Sequence, residues 1–398
     1  MSIKRSYGCF LENDEGEVNI DFMLGSGTHL LGHGFFNDQI KELVDDGVLY
    51  GDSSLNEFRL KNSLQDIFGE DNEVLFCNSG SEANLKAIRA CRAFTGKDKV
   101  AMFSGSWHGS YEPLLFQEDW SVPRWPPTYK TLGYKFHIPL PVTTASNGVK
   151  NHDEIDVYPY NMDFSLHYLN TKIDNYSAVI IEPIQGSNPR EDMKDFLVEL
   201  RRITSEANVP LIFDEVITGF RVGLKGVQGW YDIVPDISVY GKIIGGGFPF
   251  GVVVGDPNIL NTKGVYYGGT FSGNPFSCGV GNLVLDFLKN HLDLYTELYE
   301  ITKDITDEIK KEIENYPVQI LKCHSFFRFV FSESVIKERR DREESEDYSL
   351  FLEFRNLLKQ KSVVVGKNGL FFICYEHSKH KNKYIDQIVE SIEGVCRE

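Results

Sequence analysis

Short apolar runs that finish in carboxylates or in Gly/Ser turns alternate with helix-length amphipathic stretches along most of this chain of 398 residues. No other feature constrains the fold as much. Glu73-Val74-Leu75-Phe76-Cys77, Lys99-Val100-Ala101-Met102-Phe103, Ala178-Val179-Ile180-Ile181 and Pro210-Leu211-Ile212-Phe213 all have strand character. Between Ser81 and Phe94, the spacing of Ala83, Leu85, Ala87, Ile88 and Cys91 suits a helix, and Gly96 is placed to stop it. Strand, turn and helix in that order predict an α/β architecture with a mainly parallel sheet. In such sheets ligands collect where strands end and loops begin, so polar residues just after the apolar runs are the first candidates for chemistry.

Two regions depart from this alternation. Residues 119–165, rich in Pro, Trp, Tyr and Asn with weak periodicity, read as a long surface excursion or lid. Past about residue 285 the pattern changes to long charged helices, Leu292 to Tyr316 and Glu338 to Lys361, which suggests a separate C-terminal lobe. The formal charge of −17 repels phosphate backbones and argues against a nucleic-acid role. An anionic ligand would need a local positive pocket. The seven cysteines are scattered without CxxC pairs, unlike a disulfide framework or zinc site, which suggests a reducing, cytoplasmic setting. His29, His33 and His108 lack a ligand spacing, so no metal is expected. No signal-like N-terminal apolar segment is present, and no stretch approaches about 18 uninterrupted apolar residues, so no membrane role is expected.

Each chemically suggestive segment has an ordinary reading beside a functional one. Asn78-Ser79-Gly80-Ser81 follows a strand at the start of a helix. It is either simple capping or a phosphate cradle made of free N–H groups, serine hydroxyls and the positive helix end. Asp214-Glu215, at the end of an apolar run, is either a helix cap or a shielded carboxylate able to hydrogen-bond a protonated ring nitrogen. Lys242 sits among apolar residues just before Gly245-Gly246-Gly247. Burial would lower its pKa and leave a neutral amine nucleophilic toward an aldehyde, whereas a snorkelling lysine would be inert. Trp107-His108-Gly109 and the turn from Tyr266 through Thr270 and Ser272 to Pro275 are either turns or, respectively, a stacking platform and phosphate donors.

Taken together these segments resemble the class III, fold type I aminotransferases dependent on pyridoxal 5′-phosphate (PLP), and most closely the glutamate-1-semialdehyde aminomutase-like branch. The matching blocks are Leu31-Gly32-His33-Gly34, Asn78 to Ala83, Gly96 to Val100, Trp107-His108-Gly109, Glu182-Pro183-Ile184 and the long run FDEVITGFRVGLKGVQGWYDIVPDISVYGKIIGGGFPFGVVVG, residues 213–255. The resemblance implies a large PLP-binding domain over residues 46–285. It also implies a smaller α+β domain assembled from residues 1–45 and 286–398. It makes Lys242 the Schiff-base lysine, Asp214 the partner of the pyridine nitrogen, and Ser79, Gly80 and Ser81 the phosphate turn. Trp107 and Val216 would cover the two ring faces, with His108 among the cofactor contacts and Glu182 near the ring hydroxyl. Thr270 would reach the phosphate of a neighbouring subunit, which implies a homodimer with shared sites.

The implied activity is amino transfer between a small-molecule donor and an oxo acceptor by a ping-pong mechanism, with Lys242 as proton shuttle. An intramolecular aminomutase is the alternative. A catalytically silent protein of the same fold would be expected to have lost Lys242 or Asp214, and both are present. Gly8-Cys9-Phe10 to Asn19-Ile20-Asp21 already matches the opening hairpin of the aminomutase, leaving almost no N-terminal arm, the part that holds the aminomutase's carboxylate-binding arginine. A substrate other than glutamate-1-semialdehyde is therefore expected. Ser26 stands where the aminomutase has an aromatic, which implies more room near the reacting amine.

Overall fold

The computed structural model describes residues 2–118, 142–144 and 154–397. A seven-stranded sheet forms the centre, in the order Glu73–Cys77, Gly251–Gly255, Ile237–Gly241, Leu211–Asp214, Tyr176–Ile181, Lys99–Phe103, Ile155–Tyr158. Only Gly251–Gly255 runs against its neighbours. The other pairings are parallel, as the alternation of strands and helices predicts. Strands Tyr176–Ile181, Leu211–Asp214 and Ile237–Gly241 are buried at every position, which is why they are mostly apolar on both faces rather than alternating.

The helix Gly80–Thr95 forms as its residues dictate. The Ser79 side chain accepts from the Glu82 N–H, and Gly96 closes the far end in the left-handed region at φ 67°. Ser79, Trp107, Asp214 and Lys242 all stand just beyond or at the carboxyl ends of strands, so this topology delivers them to one edge of the sheet.

A smaller α+β unit packs beside the large sheet. Strands Ile3–Tyr7, Phe10–Asn13 and Val18–Asp21 form an antiparallel ribbon that Val363–Val364 extends in parallel. Strands Val318–Cys323, Phe326–Phe331 and Leu370–Phe372 form a second antiparallel sheet. Arg221 fastens the parts together. Fully buried, it donates through Nη2 to the carbonyl of Gly27 at 2.5 Å and through Nη1 to Ser325 Oγ at 3.0 Å and the carbonyl of Ile373 at 3.4 Å. The arginine that follows Thr218-Gly219-Phe220 thus links the N-terminal and C-terminal segments to the large sheet.

Two expectations are corrected. The stretch 155–165 is no excursion, since Ile155–Tyr158 is an edge strand of the central sheet and Asp163–Lys172 begins a helix. A four-residue strand interrupted by Asp156 offers too little periodicity to stand out, and Asp156 is satisfied by the Tyr176 hydroxyl at 2.6 Å. Most of the proposed lid, 119–141 and 145–153, lies outside the described residues. The continuous helix expected from Glu338 to Lys361 is two helices, Arg339–Ser345 and Tyr348–Gln360. Asp347 breaks it by accepting from the N–H groups of Ser349 and Leu350, and Glu346 before it is extended.

Candidate active site

At the end of its strand Asp214 is 4% exposed, and its carboxylate is held from several sides. Oδ2 accepts from Asn84 Nδ2 at 2.8 Å and lies 2.8 Å from His108 Nδ1, while Oδ1 accepts from the Val216 N–H at 3.1 Å. Asn84 also donates to the carbonyl of His108 at 3.1 Å, so one amide fixes both the acid and the histidine. The carboxylate is therefore oriented with one oxygen left underused. Glu215, its neighbour, turns away into a separate buried network, accepting from Thr218 Oγ1 and from the N–H groups of Val227 and Gln228.

Lys242 follows strand Ile237–Gly241 directly and takes φ +49°, a left-handed conformation that is costly for a residue with a side chain. Burial holds its amine below the ordinary lysine value, the carboxylates of Asp214 and Glu182 pull the other way, and Arg221 adds to the lowering. Glu182 is itself pushed up, first by burial and then by the charge of Asp214. Its Oε1 accepts from the Trp107 N–H at 2.6 Å and its Oε2 from the Gly186 N–H at 2.8 Å.

These groups line one cavity of about 380 Å³ together with Ser79, Gly80, Ser81, Trp107, His108 and Val216. Its floor is tightly fitted. A Cβ on Gly80 would meet Val216 Cγ2 at 2.7 Å, and one on Gly109 would meet Ser81 Oγ at 2.2 Å. Trp107 is 60% exposed, an unusual state for an indole, and it lines this cavity and a larger adjoining one. Ser79 does cap its helix, accepting the Glu82 N–H at 3.2 Å, which is the ordinary reading of this turn; a cap of this kind leaves room for an anion at the same helix end.

Of the sequence-predicted residues, only Thr270 stands apart. It is exposed on the turn after Gly268-Gly269 and does not line the cavity of its own chain. Asn84, Thr28 and Phe248, which do line it, were not anticipated. The signal for Asn84 was an amide on the second turn of a helix whose neighbours are mostly apolar. His33 is committed elsewhere, 2.8 Å from Asp21, with its ring centroid 4.2 Å from that of His29.

Residues 1–369 match the family model described as aminotransferase class-III. The chain is 30% identical to glutamate-1-semialdehyde 2,1-aminomutase of Sulfurisphaera tokodaii, covering 100% of this chain and 92% of that enzyme. It is 32% identical to the enzyme of the same name from Methanobrevibacter smithii, covering 98% and 90%. Among solved structures it resembles an omega-transaminase from Sphaerobacter thermophilus, with TM-score 0.89, 23% identity and coverage of 99% and 91%. It also resembles a glutamate-1-semialdehyde aminomutase from Pseudomonas aeruginosa, with TM-score 0.84, 19% identity and coverage of 100% and 88%.

Proposed function

Because this chain belongs to the class III aminotransferases, whose cofactor is pyridoxal phosphate, we propose that it transfers an amino group between an amine donor and a separate oxo acceptor in two half-reactions, with Lys242 holding the cofactor as a Schiff base. The observation that carries this reading is the shared cavity of Lys242 and Asp214. One is a half-buried amine held below the ordinary lysine value, the other a carboxylate oriented by Asn84 and His108.

The residues fit the cofactor. The cavity offers a helix N-terminus flanked by serines, a shielded carboxylate, and glycines where a side chain would intrude. Ser79, Gly80 and Ser81 would hold the phosphate, Asp214 would hold the proton of the ring nitrogen, and Trp107 and Val216 would cover the faces. Glu182 would stand toward the ring hydroxyl. When bound, the cofactor supplies an electron sink for the carbon that loses its proton. Lys242 would be the base that takes that proton and returns it at the neighbouring carbon.

Thr270 fits a site completed by a second copy of the chain. Its turn reaches α-helical neighbours of the site, since Arg89 donates to the Tyr266 carbonyl at 3.1 Å and Lys86 to Ser272 Oγ at 3.3 Å. Around that turn lie large apolar side chains open to solvent, Tyr266 at 80%, Phe271 at 59% and, beside Gly273, the helix bearing Leu55 at 83% and Phe58 at 58%. A homodimer that buries them is the assembly we propose, and sedimentation of the purified protein tests it.

Purified protein supplied with PLP is expected to develop a visible absorbance band that good amine donors bleach. Lys242→Ala is expected to lack it, and a wild-type protein without the band overturns the proposal. The names of the relatives favour a second reading, intramolecular transfer within one substrate. Turnover that needs no added oxo acceptor would select it.

A further inference from the structure

Outside the cofactor cavity, and sharing Trp107, Glu182, Ile217 and Lys242 with it, is a larger cavity of about 680 Å³ whose far wall carries Arg328, Arg339 and Arg342. In a chain of net charge −17 this is a local inversion of sign. Arg328 is the one cation in the phenylalanine-rich strand Phe326–Phe331, with its side chain 4% exposed, and Arg342, on helix Arg339–Ser345, is 6% exposed. Both guanidiniums converge on the same two acceptors. Arg328 Nη1 and Arg342 Nη1 donate to the carbonyl of Ser187 at 3.4 and 3.1 Å. Arg328 Nη2 reaches Glu346 Oε1 at 3.2 Å, and Arg342 Nε lies 3.7 Å from Glu346 Oε2.

Among the described residues two buried cations therefore share one buried carboxylate, Glu346, itself 7% exposed. The other acid in reach, Glu343, accepts from Arg342 Nη2 at 3.1 Å but is 39% exposed and so screened by solvent. Nε of Arg328 and Nε of Arg342 are buried and make no hydrogen bond among the described residues. A buried excess of positive charge with donors to spare is costly unless an anion completes it. Burial also pushes the Glu346 carboxyl up to about 7, so its compensation of the two arginines weakens as pH falls toward that value.

We propose that Arg328 and Arg342 bind an oxyanion of the substrate, a carboxylate or a phosphate, at a position remote from the carbon that reacts at Lys242. This deepens the aminotransferase reading and rests on it. The arginines line the outer cavity only, whereas Lys242 lines both, so the substrate spans from the amine to the arginine wall. A guanidinium pair suits a planar carboxylate or a tetrahedral phosphate, and the aromatic rings of Tyr348 and Phe351 line the same cavity. The substrate class is thus an amine, or its oxo counterpart, with a distal anionic group; simple neutral amines leave the wall uncompensated.

The test uses PLP-loaded protein, so that the cofactor's own phosphate cradle is filled, and measures binding of glutarate and of inorganic phosphate by calorimetry, with thermal melting alongside. At least one is expected to bind and to raise the melting temperature, and the tighter of the two tells carboxylate from phosphate. Arg328→Gln and Arg342→Gln are each expected to weaken that binding roughly tenfold or more, the scale of a lost charge-assisted hydrogen bond, while keeping the visible band. Glu346→Gln, which removes the competing carboxylate, is expected to tighten it. The proposal is overturned if neither anion binds the wild-type holoenzyme, or if both arginine variants bind it as the wild type does. It is equally overturned if Glu346→Gln weakens binding in step with them, as a purely structural ion bridge would. A wild-type protein that never develops the band defeats the aminotransferase reading instead, so the two failures are distinguishable.

Discussion

The side-chain amide of Asn84 donates to the carboxylate of Asp214 over 2.8 Å, joining positions 130 residues apart in the chain. His108 lies at the same distance from the same oxygen, so Asp214 is aimed by two partners rather than by its own backbone alone. Asn84 is thereby a positioning residue. Replacing it by Ala is expected to lower kcat about tenfold, the scale of a hydrogen bond to a charged group, with KM for the donor little changed. The visible band should persist but titrate at a different pH, because the carboxylate facing the ring has lost an anchor. Equal kcat and an unmoved titration in Asn84→Ala would count against this role.

Lys242 gives a pH dependence of definite sign. Its amine is held below the free-lysine value of 10.5, mainly by burial. Only the neutral amine attacks an aldehyde, so a lowered pKa enlarges the reactive fraction at any given pH. The rate at which protein stripped of cofactor takes up PLP should rise with pH and level off before the range of an ordinary lysine. A stopped-flow profile that climbs unchanged through that range would contradict it.

Gly109 has φ +94°, and a Cβ there would meet Ser81 Oγ at 2.2 Å, inside the turn proposed for phosphate. Gly109→Ala must both strain the backbone and displace Ser81. A loss of stability on the order of 1–3 kcal/mol is expected, together with weaker cofactor retention. Thermal melts and the residual visible band after dialysis check it.

How much of this was legible in the sequence follows from where each residue's partners lie. Lys242, Asp214 and the Ser79–Ser81 turn announce themselves because each directly follows an apolar strand, and strand ends are where a parallel sheet exposes its chemistry. Asn84 and Arg328 do not. Asn84 sits within a helix, and Arg328 sits inside a strand of phenylalanines, so their importance comes from side chains of distant segments. The break at Asp347 was hidden for a related reason. A charged, helix-favouring stretch conceals a cap whose effect depends on the next two N–H groups, and the extended Glu346 it leaves is what meets Arg328.

Two buried histidines make the fold acid-sensitive. His377 accepts the Cys374 N–H on Nδ1 at 3.1 Å, and its Nε2 makes no hydrogen bond among the described residues. Burial lowers its pKa to about 4, and burial with the nearby Arg221 lowers that of His324 to about 3. In the unfolded chain both rings would titrate near about 6.5. As pH falls from there toward 4 the unfolded state takes up protons that the native rings refuse, so stability is intact above about 6.5 and falls with falling pH. Each ring contributes a slope on the order of 1.4 kcal/mol per pH unit. Urea midpoints measured across this range should show a shallower slope in His377→Gln, and an identical slope would refute the assignment.

Ser26 lines the outer cavity beside Met23, and its backbone already lies in the left-handed region at φ 61°. Because serine has a Cβ, a larger side chain adds bulk to the cavity without adding a new backbone strain. Ser26→Trp is therefore expected to fold and hold PLP, while kcat/KM for bulky substrates falls about tenfold or more relative to the smallest accepted amine. Ser26→Gly separates volume from backbone. It relieves the positive φ while adding unfolded-state entropy, and the two oppose each other, so little net change in stability is expected. Its selectivity should stay that of the wild type. Substrate profiles that are the same for Trp and Gly at this position would show that Ser26 does not set the width of the site.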